Sequence, residues 1–106
     1  MELTVLSVPD CPNAAVLDER LAIVLAGRPE IAVTRRLIED EEQAVRFGMH
    51  GSPTLLIDGA DPFADPRVPA SMSCRLYRGT GGRVDGAPSV IELRRALETG
   101  RGTSRA

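Results

Sequence analysis

The stretch TVLSVPDCPNA, residues 4–14, predicts a strand, a sharp turn and the start of a helix. Apolar residues on both faces of Leu3 to Val8 are typical of a short central strand that helices cover on both sides. Pro12 suits the first helical position, where its missing N–H would be unpaired anyway. Cys11 is therefore expected at the helix start, where unpaired N–H groups and the helix dipole favour a thiolate. Such a cysteine is a candidate nucleophile or soft-metal ligand.

The following elements are indicated by periodicity and by helix-capping signals. The first helix carries apolar residues at helical spacing: Leu17, Leu21, Val24 and Leu25. Residues 31–38 form the second predicted strand, and Arg35 and Arg36 favour a place at an exposed sheet edge. Asp40 and Gln43 have the spacing of a capping box, so the acidic run 39–42 is better explained by a helix start than by metal binding.

A Gly-Ser-Pro turn joins the second helix to a third, apolar strand. Pro53 cannot donate to a strand ladder, so its place needs a positional reason, and a cis peptide is one. The order β-α-β-α-β then becomes visible, and Ser89 with Glu92 forms a capping box that opens a last helix. Residues 1–99 are predicted to be one domain and residues 100–106 a flexible tail.

Composition narrows the range of functions. The chain has 106 residues, a formal net charge of −2 and three aromatic residues, so neither nucleic acid nor an anionic membrane is an expected partner. All 13 basic residues are arginine, which excludes a lysine Schiff base. The N-terminus lacks a signal peptide and no run reaches the ~18 apolar residues of a membrane span, so a cytoplasmic location is predicted. In a reducing compartment two cysteines favour reactive, metal-binding or inert thiols over a permanent disulfide.

Three features of the sequence coincide: Cys11 at a helix start, the segment GSPTL at residues 51–55 and the segment GAPS at residues 86–89 before the last helix. With these features the chain resembles the thioredoxin-like superfamily and its fold over residues 2–98. The resemblance implies an α/β domain with a central mixed sheet of four to five strands flanked by helices, and an insertion around residues 60–80. It also implies a cis Ser52–Pro53 peptide beside Cys11.

The resemblance implies a site in which Cys11 and Pro53 are the catalytic residues. Substrate-contacting positions would be Ser52, Pro12, Asn13 and His50. The backbone of Ser52, exposed by a cis-Pro turn, would pair with an extended substrate as in strand addition. Two roles remain open for His50: a group that donates a proton or lowers the pKa of the thiol, or a polar turn residue. Two roles also remain open for Asn13: a hydrogen-bond donor to the thiolate, or a cap of the helix start.

The sequence also departs from the pattern of the superfamily. The segment CPNA, residues 11–14, lacks the second cysteine of Cys-x-x-Cys, and Asp10 replaces an aromatic residue with a charge that opposes a thiolate. The favoured hypothesis is therefore monothiol chemistry: Cys11 attacks a disulfide or oxidised sulfur, and the partner is a low-molecular-weight thiol or a protein disulfide. No cofactor and no bound metal is predicted for this function, and the oligomeric state is not indicated.

Cys74 is the second thiol, and its expected role depends on the alignment. If residues 74–78 are the fourth strand of the superfamily, Cys74 lies at the far end of the sheet from Cys11. If residues 83–86 are that strand, residues 60–80 fold back over Cys11, and Cys74 is a resolving thiol or a second metal ligand. A buried, inert Cys74 is a third interpretation. Two other functions stay open: a soft-metal or mercurial transfer module that uses Cys11 and Cys74, and a non-catalytic protein-binding scaffold.

Overall fold

The computed structural model describes residues 1–79 and 82–103, with side chains up to residue 98. The chain is a compact α/β protein, and the described residues contain three helices and seven short strands. In chain order they are β1 (Glu2–Ser7), α1 (Pro12–Val24), β2 (Ala32–Leu37), α2 (Glu41–Phe47), β3 (His50–Ser52), β4 (Thr54–Ile57), β5 (Ser71–Cys74), β6 (Tyr77–Arg78), β7 (Val84–Asp85) and α3 (Val90–Thr103).

The central sheet has the strand order β2-β1-β4. β1 runs parallel to β2 and antiparallel to β4, with Leu3 opposite Val33 and Val5 opposite Leu55. The expected single sheet of four to five strands is wrong for the described residues, because β3 pairs with β5 and β6 pairs with β7 in two separate two-stranded sheets. The predicted central place of β1 and edge place of β2 are both confirmed.

Helices cover both faces of the central sheet, as the apolar pattern of β1 predicts. Leu3 and Val5 point to one face, where they pack with residues of β4, α1 and α3: Leu55, Ile57, Leu17, Leu21, Val24, Leu93, Ala96 and Leu97. Leu6 points to the other face, where its buried neighbours are Ile38, Ala44 and Met49. This division into two apolar clusters is what fixes the register of β1, since a shift by one residue would exchange the faces.

The predicted helix ends are confirmed at both capping boxes. The Asp40 carboxylate accepts a hydrogen bond from the Gln43 N–H at 2.8 Å, and Gly48 ends α2 with a φ of 80°. At the start of α3, the Glu92 N–H donates to the Ser89 hydroxyl at 3.1 Å and the Ser89 N–H donates to the Glu92 carboxylate at 3.0 Å. Each bond satisfies a backbone donor that would otherwise be unpaired.

The segment between β4 and β6 (residues 58–76) covers most of the predicted insertion around residues 60–80, is called the insertion below, and folds back along the Gly-Ser-Pro turn. β5 within it runs parallel to β3, with Ser52 opposite Cys74. Neither of the two predicted alignments holds for the described residues, because residues 74–78 divide between β5 and β6 and no strand after the insertion joins the central sheet. Cys74 lies near the turn and not at the far end of the sheet.

The C-terminal segment continues the last helix. α3 extends to Thr103, so the first residues of the predicted tail 100–106 are helical, and residues 104–106 lie outside the described part. Within the described part, none of the helices combines the length and the apolar character that crossing a membrane requires.

Candidate functional site

Cys11 occupies the N-cap position of α1, as predicted from Pro12. Its backbone is extended, with φ −75° and ψ 112°, and Pro12 begins the helix. The Cys11 side chain makes no capping hydrogen bond to the described residues, and the residue is half-buried. Asp10 before it has a φ of 61°, so the turn between β1 and α1 uses left-handed backbone that an aspartate tolerates better than most residues. Cys11 therefore lies, half-buried, at a helix start whose N–H groups it does not cap with its side chain.

The Ser-Pro turn is tied to the end of β1. The Val8 N–H donates to the Ser52 hydroxyl at 3.1 Å, and Ser52 is 1% exposed. The Ser52–Pro53 peptide is cis, as the resemblance implied. Since Leu6 lies opposite Thr54 in the antiparallel pair, Pro53 and Ser52 lie at the carboxyl end of β1, beside the turn that leads to Cys11. The structure thus brings the cysteine and the Ser-Pro turn to one end of the sheet.

Asn13 packs against the loop that precedes α3. A Cβ on Gly86 would overlap the Asn13 side-chain amide, so the amide fills the space that this glycine leaves open. Arg20 fastens the same loop to α1: its guanidinium donates to the carbonyls of Ala87 and Pro88 at 3.0 and 3.2 Å. The N-cap of α1 is Cys11, and Asn13 is the second residue of the helix, where its packing connects the start of α1 to the loop before α3.

His50 makes its contacts with the insertion and the Ser-Pro turn. Its Nδ1 lies 3.1 Å from the Val68 carbonyl oxygen, and its backbone N–H donates to the Thr54 hydroxyl at 3.2 Å. His50 and Cys74 also line one open groove between the insertion and β6, and Cys11 is not among its lining residues. The structure therefore groups His50 with Cys74, whereas the sequence grouped it with Cys11.

Cys74 is an exposed free thiol, so its interpretation as a buried residue is wrong. Its backbone lies beside Ser52 through the pairing of β5 with β3. Cys11 is also a free thiol. In the residues that the structure describes, no group of three or more His, Cys, Asp or Glu side chains is placed to hold a metal ion.

A cluster that the sequence did not indicate holds the insertion against the turn, and it is called the Arg75 clasp here. Arg75 donates to the Asp61 carboxylate at 2.6 Å and to the Phe63 carbonyl at 2.7 Å, and the two side chains of the ion pair are only 9% and 7% exposed. The guanidinium lies 4.5 Å from the Tyr77 ring centre and 3.3 Å from the Thr54 hydroxyl. A buried ion pair is stable only when hydrogen bonds satisfy it, and these contacts do so.

Tyr77 connects the Arg75 clasp to the Ser-Pro turn. Its hydroxyl donates to the Pro53 carbonyl, and its ring packs edge-on against Phe63 with 5.5 Å between ring centres. Burial raises the pKa of Tyr77 above its ordinary value, so the hydroxyl stays a donor at neutral pH. Sequence signals for these contacts were weak, because arginine and aspartate side chains are usually solvated.

Replacing Gly51 by Ala is expected to lower the free energy of unfolding by about 2–4 kcal/mol, because a Cβ would meet the Arg75 Cβ at 2.8 Å and Gly51 has a φ of 101°. Gly59→Ala is the matched control: its φ is 86° but nothing lies within 4 Å of the added Cβ. The control should cost about 1 kcal/mol. Urea unfolding of both variants measures the difference. Equal losses of stability would show that Arg75, the residue after β5, does not lie in close contact with Gly51.

Comparison with known proteins does not assign this chain to a family. Neither the models of known protein families, nor the curated proteins, nor the solved structures give a match to the chain. The functional interpretation therefore rests on the contacts within the chain.

Proposed function

We propose that this chain is a thioredoxin-like protein in which Cys11 acts as a monothiol nucleophile on a disulfide. One observation carries the proposal: Cys11 lies at the uncapped start of α1, directly after the turn that the Val8–Ser52 hydrogen bond ties to the Ser-Pro segment. Unpaired N–H groups and the helix dipole attract negative charge at such a position. Cys11 is also only half-buried as a residue.

The proposed chemistry has two exchange steps. The Cys11 thiolate attacks one sulfur of a disulfide R–S–S–R, the S–S bond breaks, and one R–S⁻ leaves with the bonding electrons. A low-molecular-weight thiolate then attacks the mixed disulfide on its R sulfur and releases Cys11 as thiolate. The low-molecular-weight thiol leaves this step as a mixed disulfide with R. A second cycle on that mixed disulfide releases the other R–S⁻ and joins two of the low-molecular-weight thiols in a disulfide, so two thiols, the reductant, are consumed for each disulfide that is fully reduced. Ala14 stands where a resolving cysteine would be, so the second thiol comes from solution.

The setting that suits this cycle is the cytoplasm, where low-molecular-weight thiols are kept reduced. Ser52 and Pro53 would line the path by which a substrate reaches the Cys11 sulfur, since both lie at the end of β1 next to the turn between β1 and α1. His50 is not required in this proposal, because its Nδ1 contacts the Val68 carbonyl.

The proposal is tested by turnover of bis(2-hydroxyethyl) disulfide with a reduced low-molecular-weight thiol in excess. We expect the wild-type chain to accelerate this reaction, and Cys74→Ser to keep the rate within about twofold because the cycle uses one protein thiol. A wild-type rate equal to that of the reaction without protein would contradict the proposal. A large loss in Cys74→Ser would contradict the monothiol cycle.

A further inference from the structure

The edge at which an extended substrate would pair is already occupied by the chain itself. The Arg75 N–H donates to the Ser52 carbonyl at 3.1 Å, and the Ser71 N–H donates to the Met49 carbonyl at 3.0 Å. These bonds bracket the parallel pairing of β5 with β3, in which His50 lies opposite Ser71. β5 therefore makes the main-chain contacts that strand addition would give to a substrate peptide.

The covered edge leaves no room for a second strand. Ser52 is 1% exposed and Gly51, Pro53 and Thr54 are buried as well. The backbones are in close contact, since a Cβ added to Gly51 would lie 3.1 Å from the Arg75 Cα. An extended peptide could pair with Ser52 only after β5 had left.

The Arg75 clasp stabilises the pairing of β5 with β3. Removing β5 would break the ion pair between Arg75 and Asp61 and the hydrogen bond from Arg75 to the Phe63 carbonyl. A buried guanidinium and carboxylate that lose each other must be rehydrated or remain unpaired, and both carry a free-energy cost. β5 is thus held by side chains as well as by main-chain bonds.

Cys11, in contrast, is not among the residues that line the groove beside β5. It is half-buried at the start of α1, and its backbone carbonyl bonds to the Ala14 N–H within its own helix turn. A small disulfide needs only to reach the sulfur, because the exchange forms one S–S bond and breaks another without main-chain pairing.

From these contacts we infer that β5 occupies the edge of β3 at which an extended substrate would pair. Cys11 therefore acts on low-molecular-weight disulfides, and disulfides carried by extended peptides do not reach it. The inference rests on the proposed function and specifies its substrate class. The Cys11 thiolate exchanges with the small disulfide and expels a small thiolate, and a second low-molecular-weight thiol restores the cysteine. No strand of the substrate takes part.

Two matched probes test the inference. One is the mixed disulfide of 2-mercaptoethanol with N-acetylcysteine amide, and the other carries the same mixed disulfide on the central cysteine of a short peptide of alternating Val and Thr. With the wild-type chain we expect kcat/KM for the small probe to exceed that for the peptide probe by about tenfold or more, because the open form is rarely populated. Equal values for the two probes would overturn the inference.

Variants of the Arg75 clasp then test the cause. In Asp61→Asn and in the milder Arg75→Lys, kcat/KM for the peptide probe should rise about tenfold, while kcat/KM for the small probe stays within about twofold. Asp65→Asn is the matched control, because Asp65 pairs with Arg67 on the exposed side of the same insertion, and it should change neither value. Hydrogen exchange at the Arg75 amide reports whether β5 has opened in a folded variant.

The failures of the two proposals are distinguishable. If a folded variant exchanges its Arg75 amide faster and gains no activity on the peptide probe, the substrate inference is wrong, even though Cys11 still turns over the small probe. If neither probe is turned over by the wild-type chain or by any variant, the proposed function itself is wrong, and the inference falls with it.

Discussion

Asp61→Asn is expected to lower the free energy of unfolding by about 3–5 kcal/mol, because it leaves the Arg75 charge buried without its partner. Arg75 and Asp61 are 9% and 7% exposed, and their charged atoms are 2.6 Å apart. The asparagine has nearly the same shape as the aspartate, so lost packing contributes little. Urea unfolding followed by circular dichroism measures the change.

The control for this variant is the second ion pair of the insertion. Arg67 lies 3.0 Å from Asp65 and is 88% exposed, and its hydrogen bonds to the carboxylate, with a smaller contribution from its charge, lower the pKa of Asp65 to about 2. Solvent screens an exposed pair, so Asp65→Asn should leave the unfolding midpoint nearly unchanged at neutral pH. If both variants lose the same stability, the Arg75 clasp does not hold the insertion in the way proposed here.

Cys11→Ser is expected to reduce the turnover of bis(2-hydroxyethyl) disulfide to the rate without protein. A serine hydroxyl cannot form the mixed disulfide, and the CPNA segment holds no other thiol that could replace Cys11. The steady-state rate with a reduced low-molecular-weight thiol measures the effect. If the rate stays near that of the wild-type chain, either Cys74 carries the reaction or no cysteine does.

The same variant should leave the fold intact, which separates chemistry from stability. Cys11 is half-buried and its side chain makes no capping hydrogen bond to the described residues, so a serine at this position loses little packing. Serine is also a preferred N-cap residue and would slightly stabilise α1. An unfolding midpoint equal to or above that of the wild-type chain is therefore expected, and a large fall would make the activity loss uninformative.

Local signals in the sequence were sufficient to predict the elements that position Cys11. The two capping boxes, Asp40 with Gln43 and Ser89 with Glu92, depend on residues three apart, and both form as predicted. The place of Cys11 before α1 follows from Pro12, whose ring fixes the first helical residue. Such signals are reliable because the groups that interact are neighbours in the chain.

The insertion could not be predicted in the same way. Ser52 meets Cys74 and Asp61 meets Arg75 across long sequence separations, and neither pair has a periodic pattern or a turn signal. β6 and β7 have two residues each, which is too short for an alternating pattern, so the division of the expected sheet was not visible in the sequence. Tertiary packing decides these pairings.

The most direct test of the central claim, that Cys11 works as a single nucleophilic thiol, is intact-mass and peptide-mapping analysis during exposure to excess bis(2-hydroxyethyl) disulfide. We predict one 2-mercaptoethanol adduct that forms first on Cys11, with the exposed Cys74 modified more slowly. In Cys74→Ser the adduct on Cys11 should form at the wild-type rate. A monomer that loses two hydrogens through a Cys11–Cys74 bridge, or a first adduct on Cys74, would contradict the claim.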